Sequence, residues 1–146
     1  MSGSVKIRNI MSSPVIDISP WASVAAAIGQ MRDFDVGALA VVAGKVLVGI
    51  VTDRDILMRA PQGAAADTAV VSIMARDPVT CFADQQVTEA AALMGDRQIR
   101  RLLVLDRASE RLVGIVTLCD IAEHASEELA GQALGEISED RWHNGA

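Results

Sequence analysis

The chain carries one pattern twice: an apolar run that ends in a threonine, with an aspartate three residues further on. The first copy ends in Thr52 and Asp55, and the second in Thr117 and Asp120. An apolar run too short for a helix, followed by an amphipathic segment, is typical of a strand, a tight turn and a helix. Because Thr117 lies 65 residues after Thr52, the pattern indicates two repeats of one supersecondary unit.

The elements around the two copies recur as well. A helix is expected from about Pro20 to Asp33, with its cap at Ser19, and its counterpart from about Gln85 to Arg97. The methionines on their apolar faces, Met31 and Met94, are expected in the core. Two strands follow each helix: Leu39 to Val42 and Val46 to Thr52, then Leu102 to Leu105 and Leu112 to Thr117. The sequence thus predicts an α/β fold in which each half has the order β-α-β-β-α.

The two motifs, Gly49 to Asp55 and Gly114 to Asp120, resemble those of the cystathionine-β-synthase (CBS) domain family. Each reads Gly, two β-branched residues, Thr, two variable residues and Asp, and two copies in one chain resemble the tandem pair known as a Bateman module. The resemblance covers about residues 5 to 125 and is closest to the stand-alone CBS proteins of prokaryotes. It implies two CBS repeats related by a pseudo-two-fold axis in one compact module.

The repeats are expected at residues 5–62 and 70–125. The connecting segment from Pro61 to Ala69 is rich in Ala, Gly and Asp and has no periodicity. Ile10 and Met11 recur as Ile73 and Met74, which marks where each repeat begins. Residues 126–146 depart from the repeat, and we expect a C-terminal helical extension there that ends in a loose tail from Arg141.

The threonine and aspartate pairs have two interpretations. Thr52 with Asp55, and Thr117 with Asp120, fit a capping box, which stabilises a helix start by about 1 kcal/mol. The same groups suit a ribose, since a carboxylate accepts hydrogen bonds from both sugar hydroxyls. The family resemblance implies that these four residues hold the ribose of an adenosine-containing ligand. Capping and binding are compatible, because each carboxylate has two oxygens.

A phosphorylated ligand would also need cations, because the aspartates repel phosphate. Arg100 and Arg101 precede the strand Leu102 to Leu105, where the family often has a basic residue that faces the phosphates. The first repeat has Gly37 and Ala38 at this position, so its Arg54 is the compensating candidate. For each arginine, a solvated surface charge is the alternative interpretation.

Four apolar residues occupy positions that line the adenine base in the family. They are Val15 and Val79, which follow prolines, and Val36 and Ile99, which precede the inner strands. Plain core packing is the alternative interpretation for each of them.

Composition excludes several classes of function. A net charge of −6 and a pI near 4.8 argue against nucleic-acid binding, which normally needs a basic surface. Mean hydropathy is +0.30, yet the uncharged stretch from Ile18 to Met31 is too polar to span a membrane. The start has no basic region followed by an apolar block, so we expect a cytoplasmic protein.

No catalytic or metal-binding constellation emerges. His124 and His143 are the only histidines, and no motif places a nucleophile beside either of them. Cys81 and Cys119 belong to no CxxC pair and are expected as reduced thiols in or near apolar cores. We therefore expect neither an enzyme nor a metal site.

The favoured function is ligand sensing. The resemblance implies that clefts between the repeats bind AMP, ADP, ATP or S-adenosylmethionine, and that no cofactor is required. We expect a homodimer through the helical faces and, without a fused effector domain, a regulated partner that the sequence does not identify. The rival functions are a ligand-free structural or dimerisation module and a small hydrolase.

Overall fold

A computed structural model describes residues 5–13, 15–61 and 67–143 of the chain, with side chains through Ile137. The chain forms two compact units. The first-repeat unit comprises Val15–Pro78, and the second-repeat unit comprises Met1–Pro14 and Val79–Ala146. Both units contain helices and β-strands, which confirms the predicted α/β class.

The first-repeat unit is built on a four-stranded sheet in the order β1-β2-β3-β4. Strand β1 is parallel to β2, and the other neighbours are antiparallel. The apolar faces of the sheet and of α1 form one core. Its elements are β1 Asp17–Ile18, α1 Val24–Phe34, β2 Ala38–Ala43, β3 Val46–Thr52, α2 Asp53–Arg59 and β4 Ala75–Arg76.

The second-repeat unit has a three-stranded sheet in the order β5-β6-β7. Strand β5 is parallel to β6, and β6 is antiparallel to β7, as in the first-repeat unit. Its elements are β5 Thr80–Phe82, α3 Val87–Arg97, β6 Arg101–Leu105, β7 Leu112–Thr117, α4 Leu118–His124 and α5 Glu127–His143. The predicted order β-α-β-β-α is therefore confirmed in both units.

The start of the first helix differs from the prediction. Ser19 and Pro20 lie in a turn, and the cap of α1 is Ser23, whose side chain accepts a hydrogen bond from the Ala26 N–H. The backbone of residues 20–24 pairs instead with residues 68–71, as in the 2.7 Å hydrogen bond from Val24 to Thr68. This long-range pairing overrides the local preference for a helix that begins at a proline.

The segment at the start of each predicted repeat packs in the unit of the other repeat. Ser12 exchanges hydrogen bonds with Ile115 on β7, at 2.9 and 3.0 Å, and β4 pairs with β3 at the corresponding place. A Cβ on Gly49 would lie 2.6 Å from Met74 Sδ, and one on Gly114 would lie 2.5 Å from Met11 Sδ. The glycine of each motif therefore makes room for the segment that crosses it.

Helix α5 covers the helices of the second-repeat unit. Its Ala130, Ala133 and Ile137 are buried in the same core as Ala91 of α3 and Ile121 of α4. Among the described residues, no helix covers the corresponding α1 and α2. On α2, Leu57 is 83% exposed and Met58 74% exposed. The two units thus differ most in what lies over their helices.

The sulfur-containing residues follow the prediction in part. Met31, Met94 and Cys81 are buried, and burial raises the pKa of the Cys81 thiol to about 12. Cys119, expected in or near an apolar core, is exposed on α4. It is the second residue of that helix, where Leu118 and Ile121 point inwards and position 119 faces away.

Candidate functional site

In the first-repeat unit, the motif residues lie beside the starts of two neighbouring strands. We call this end of the strands the first-repeat edge, and its counterpart in the other unit the second-repeat edge. Thr52, at the end of β3, pairs with Ala38, and the Asp53 N–H donates to the Gly37 carbonyl at 3.0 Å. Val15 lies two residues before β1, which runs parallel to β2. The edge therefore brings together the strand starts and the first turn of α2.

The second-repeat unit has the same arrangement. Thr117 pairs with Arg101, and the Leu118 N–H donates to the Arg100 carbonyl at 3.0 Å. Val79 directly precedes β5, one position nearer its strand than Val15 is to β1, and β5 runs parallel to β6. Each set of candidate residues thus belongs to a single unit.

Thr52 and Asp55 form the capping box expected from their spacing. The Thr52 N–H and hydroxyl donate to Asp55 Oδ2 at 2.9 and 3.0 Å, and the Asp55 N–H donates to Thr52 Oγ1 at 3.1 Å. Asp55 Oδ1 lies 3.9 Å from Arg59 Nε, and the Asp55 side chain is 16% exposed. One carboxylate oxygen therefore caps α2, while the other forms a weak, largely solvated ion pair with Arg59.

Thr117 and Asp120 form the second capping box with fewer contacts. The Thr117 N–H donates to Asp120 Oδ2 at 2.9 Å, and the Asp120 N–H donates to Thr117 Oγ1 at 3.1 Å. Within the described part of the chain, Asp120 Oδ1 has neither a hydrogen bond nor an ion pair. Capping is confirmed, and it leaves one oxygen of this half-buried carboxylate available to another partner.

The candidate arginines differ in their exposure. Arg54 and Arg100 are exposed, whereas Arg101 is half-buried at the start of β6. None of the three takes part in a salt bridge among the described residues. Arg100 lies at a bend that precedes β6, and Arg101 is the first residue of that strand. Because they differ in exposure and in backbone setting, the two arginines are separate candidates.

The four apolar candidates are half-buried rather than fully enclosed. Val36 packs against the core of the first-repeat unit, and Val79 and Ile99 pack against the core of the second-repeat unit. Val15 is also half-buried. Each of them keeps some surface that a base could cover.

Sequence reasoning missed Asp53, the first residue of α2. A Cβ on Gly37 would lie 3.3 Å from Asp53 Oδ2, so this carboxylate lies over the glycine that replaces the arginine of the other repeat. The sequence signal for this difference is a comparison of the repeats, since the second repeat has Leu118 at the position of Asp53 and Arg100 at the position of Gly37. The contact between them was not predictable from spacing alone.

A cavity also lies apart from the motifs. A cavity of about 470 Å³ in the second-repeat unit lies between the starts of α3 and α5, at the end of α4 away from Asp120. In the described ranges, no three His, Cys, Asp or Glu side chains are grouped to hold a metal ion, and no helix is long and apolar enough to cross a membrane.

The chain matches the family model of the CBS domain twice, at residues 7–61 and 70–127. It is 37% identical to the CBS domain-containing protein YhcV of Bacillus subtilis over 139 residues, which cover 94% of this chain and 98% of that protein.

Two solved structures are similar to the chain and contain ligands. The CBS domain pair of protein MJ0100, in complex with 5′-methylthioadenosine and S-adenosyl-L-methionine, matches with a TM-score of 0.72 and 29% identity, over 82% of this chain and 94% of that one. The CBS domain protein PAE2072 of Pyrobaculum aerophilum, complexed with AMP, matches with a TM-score of 0.76 and 25% identity, over 87% and 99%. The chain therefore belongs to the CBS domain family and carries two CBS domains in tandem.

Proposed function

We propose that the chain is a regulatory module that binds an adenosine-containing ligand and controls a partner protein. The ligand class includes AMP, ADP, ATP and S-adenosylmethionine, and no cofactor is required. The observation that carries the proposal is the Asp120 carboxylate, which caps α4 with Oδ2 and has no partner for Oδ1 among the described residues. The compartment that fits this role is the cytoplasm.

The chemistry of the two edges suits a nucleoside. A carboxylate oxygen accepts hydrogen bonds from a ribose diol, and the neighbouring threonine hydroxyl offers a second polar contact. Thr52 with Asp55 and Thr117 with Asp120 would hold the ribose. The half-buried Val15, Val36, Val79 and Ile99 would contact the base. The ligands of the MJ0100 and PAE2072 structures, all adenosine derivatives, support this ligand class for a CBS pair.

The direct test is a thermal-shift series with adenosine, AMP, ATP, S-adenosylmethionine and GMP. A ligand present at 100 times its Kd stabilises the folded state by about 2.7 kcal/mol, which is measurable as a higher melting temperature. We expect adenosine compounds to raise the melting temperature and GMP to have no effect. No shift with any adenosine compound would count against the proposal.

We propose Arg100 or Arg101 as the phosphate contact of the second-repeat unit; Arg54, the candidate of the first-repeat unit, has the Asp53 carboxylate beside it. Arg100→Ala and Arg101→Ala are made separately, because Arg100 is exposed and Arg101 is half-buried. We expect one of them to weaken AMP about ten-fold while adenosine changes little, since hydrogen bonds to charged groups contribute about 1.5 to 3 kcal/mol. Calorimetric titration of both ligands checks this. Equal weakening of AMP and adenosine by both variants would refute the role.

We also propose that the module is a homodimer through α1 and α2 of the first-repeat unit. These helices leave Phe34, Leu57 and Met58 exposed, whereas α5 already covers the corresponding helices of the other unit. Exposed apolar side chains of this size favour contact with a second copy of the same surface, which gives a two-fold symmetric interface.

Sedimentation at micromolar concentration should therefore show a dimer. The double variant with Leu57→Glu and Met58→Glu should be monomeric, because it would bring charges together in an apolar interface. Leu134→Glu on α5 is the matched control, since Leu134 is also an exposed leucine, at 42%, but lies outside the proposed interface. A monomeric wild-type protein, or a control that dissociates as fully as the double variant, would rule out this interface.

A ligand-free structural module is the second candidate function. The observation in its favour is that Asp55 and Asp120 both serve as helix caps. In that case the aspartates would contribute only to stability, and the dimer interface would be the functional surface. The thermal-shift series separates the two candidates, because a structural module responds to none of the nucleotides. Neither candidate calls for catalysis, and no enzyme activity is proposed.

A further inference from the structure

The two motif edges share one backbone contact but differ in the side chains beside it. The Asp53 N–H donates to the Gly37 carbonyl, and the Leu118 N–H donates to the Arg100 carbonyl, both at 3.0 Å. Gly37 is therefore equivalent to Arg100, and Asp53 is equivalent to Leu118. Where the second-repeat unit has an arginine and a leucine, the first-repeat unit has a glycine and an aspartate.

The Asp53 carboxylate lies in the space that a side chain at position 37 would enter. A Cβ there would be 3.3 Å from Asp53 Oδ2, while Asp53 Oδ1 accepts a hydrogen bond from the Arg54 N–H at 2.7 Å. Asp53 is exposed, and its Oδ2 has no hydrogen bond or ion pair within the described ranges. Leu118, by contrast, is only 9% exposed and packs in the core.

The two edges therefore carry opposite charges on opposite sides of the same backbone contact. The first-repeat edge presents the Asp53 carboxylate, and the second-repeat edge presents the exposed Arg100 guanidinium. Over a few ångströms near a protein surface, such charges change the affinity for an anion about ten-fold. The charge of Arg54 does not restore an anion site, because Asp53 is its immediate neighbour and offsets it.

We propose that Asp53 makes the first-repeat site selective for adenosine derivatives whose 5′ substituent is uncharged or cationic, such as a thioether or a sulfonium. The second-repeat site accepts a 5′-phosphate, because it has the Arg100 guanidinium and has Leu118 in place of the Asp53 carboxylate. This inference rests on the proposed function, since it concerns the ligand class of the same two edges. Asp53 acts as a specificity-determining residue by repelling phosphate.

The test compares AMP with 5′-methylthioadenosine, which differ in the charge of the 5′ substituent. Titrations are made in a background with Asp120→Ala, so that the first-repeat site dominates the signal. There, Asp53→Asn should tighten AMP binding about ten-fold and leave 5′-methylthioadenosine nearly unchanged. Asparagine retains an oxygen that can accept the Arg54 N–H bond, so the exposed turn should keep its structure.

Two further variants isolate the cause. Asp67→Asn removes the same charge at an exposed position beside Thr68, whose carbonyl accepts a hydrogen bond from the Val24 N–H at the start of α1, and it should leave both affinities unchanged. Adding Arg54→Ala to Asp53→Asn should reverse most of the gain in AMP affinity, because Arg54 is the cation that Asp53 neutralises.

The outcomes separate this inference from the proposed function. If 5′-methylthioadenosine binds but Asp53→Asn leaves AMP unchanged, or tightens both ligands equally, the selectivity role is overturned and the adenosine site stands. If Asp67→Asn has the same effect as Asp53→Asn, the cause is net charge, and the role is again overturned. If neither AMP nor 5′-methylthioadenosine binds to the wild-type protein, this inference fails; if no adenosine compound of the thermal-shift series binds, the proposed function fails with it.

Discussion

Gly114→Ala is expected to lower the free energy of unfolding by about 1–3 kcal/mol, the usual range for an overpacked core position. The new Cβ would lie 2.5 Å from Met11 Sδ and 3.0 Å from the Ser12 carbonyl oxygen. The methionine side chain can move, but the Ser12 backbone is held by its two hydrogen bonds to Ile115. Urea unfolding of the wild type and the variant would measure the difference.

Gly29→Ala is the matched control, because a Cβ on Gly29 in α1 would meet nothing within 4 Å. Alanine is the better helix former, so this change should stabilise the protein by about 0.5–1 kcal/mol. The two glycine substitutions therefore have opposite predicted signs. If Gly114→Ala also stabilised the protein, the crossing segment would not pack on the motif as described.

A second variant separates the two contacts of the new Cβ. Adding Met11→Ala to Gly114→Ala removes the sulfur but leaves the Ser12 carbonyl in place. Comparison with Met11→Ala alone in a double-mutant cycle gives the part of the cost due to the sulfur. We expect the double variant to lose less stability than the sum of the losses of the two single variants. The part of the Gly114→Ala cost that remains is due to the backbone contact.

The bounds of the motif strands and their helix caps were predictable because they depend on local sequence patterns. The runs Val46–Thr52 and Leu112–Thr117 are apolar, end in a capping threonine and begin after polar turns, and the structure gives both strands these bounds. Thr52 and Thr117 cap their helices as the spacing indicated. Such features follow from residues close together in sequence, where propensity and capping act directly.

The features that were missed depend on distant residues. The helix cap moved from Ser19 to Ser23 because the chain before α1 pairs with residues 68–71. The role of α5 as a cover rests on Ala130 and Ala133, whose small side chains give no strong periodic signal. Asp53 lies over Gly37 only because two strands meet at one edge. These contacts cannot be predicted from the sequence pattern of any single element.

Asp120→Asn should weaken adenosine binding about ten-fold to a hundred-fold, because one hydrogen bond to a charged group contributes about 1.5 to 3 kcal/mol. Adenosine is the right probe, since it has no phosphate for the arginines to contact. The substitution keeps an oxygen for the 2.9 Å bond from the Thr117 N–H and replaces the free oxygen with an amide. The cap should survive, so the unfolding free energy should change little.

Asp120→Ala completes the comparison because it removes the cap and the binding group together. Loss of a cap usually costs about 1 kcal/mol, so this variant should lose both stability and affinity. Asp55→Asn tests the first-repeat edge, where the cap receives two bonds from Thr52 rather than one. Its effect on affinity should be similar, and its effect on stability somewhat larger.

The contrast between stability and affinity decides what the aspartates do. A carboxylate that holds a ribose through its free oxygen loses affinity on conversion to asparagine while the helix start remains intact. A carboxylate that serves only as a cap loses stability, and nucleotide binding is unaffected. If Asp55→Asn and Asp120→Asn both lower the melting temperature and leave adenosine affinity unchanged, these residues are caps, and the sensing proposal loses the residues on which it chiefly depends.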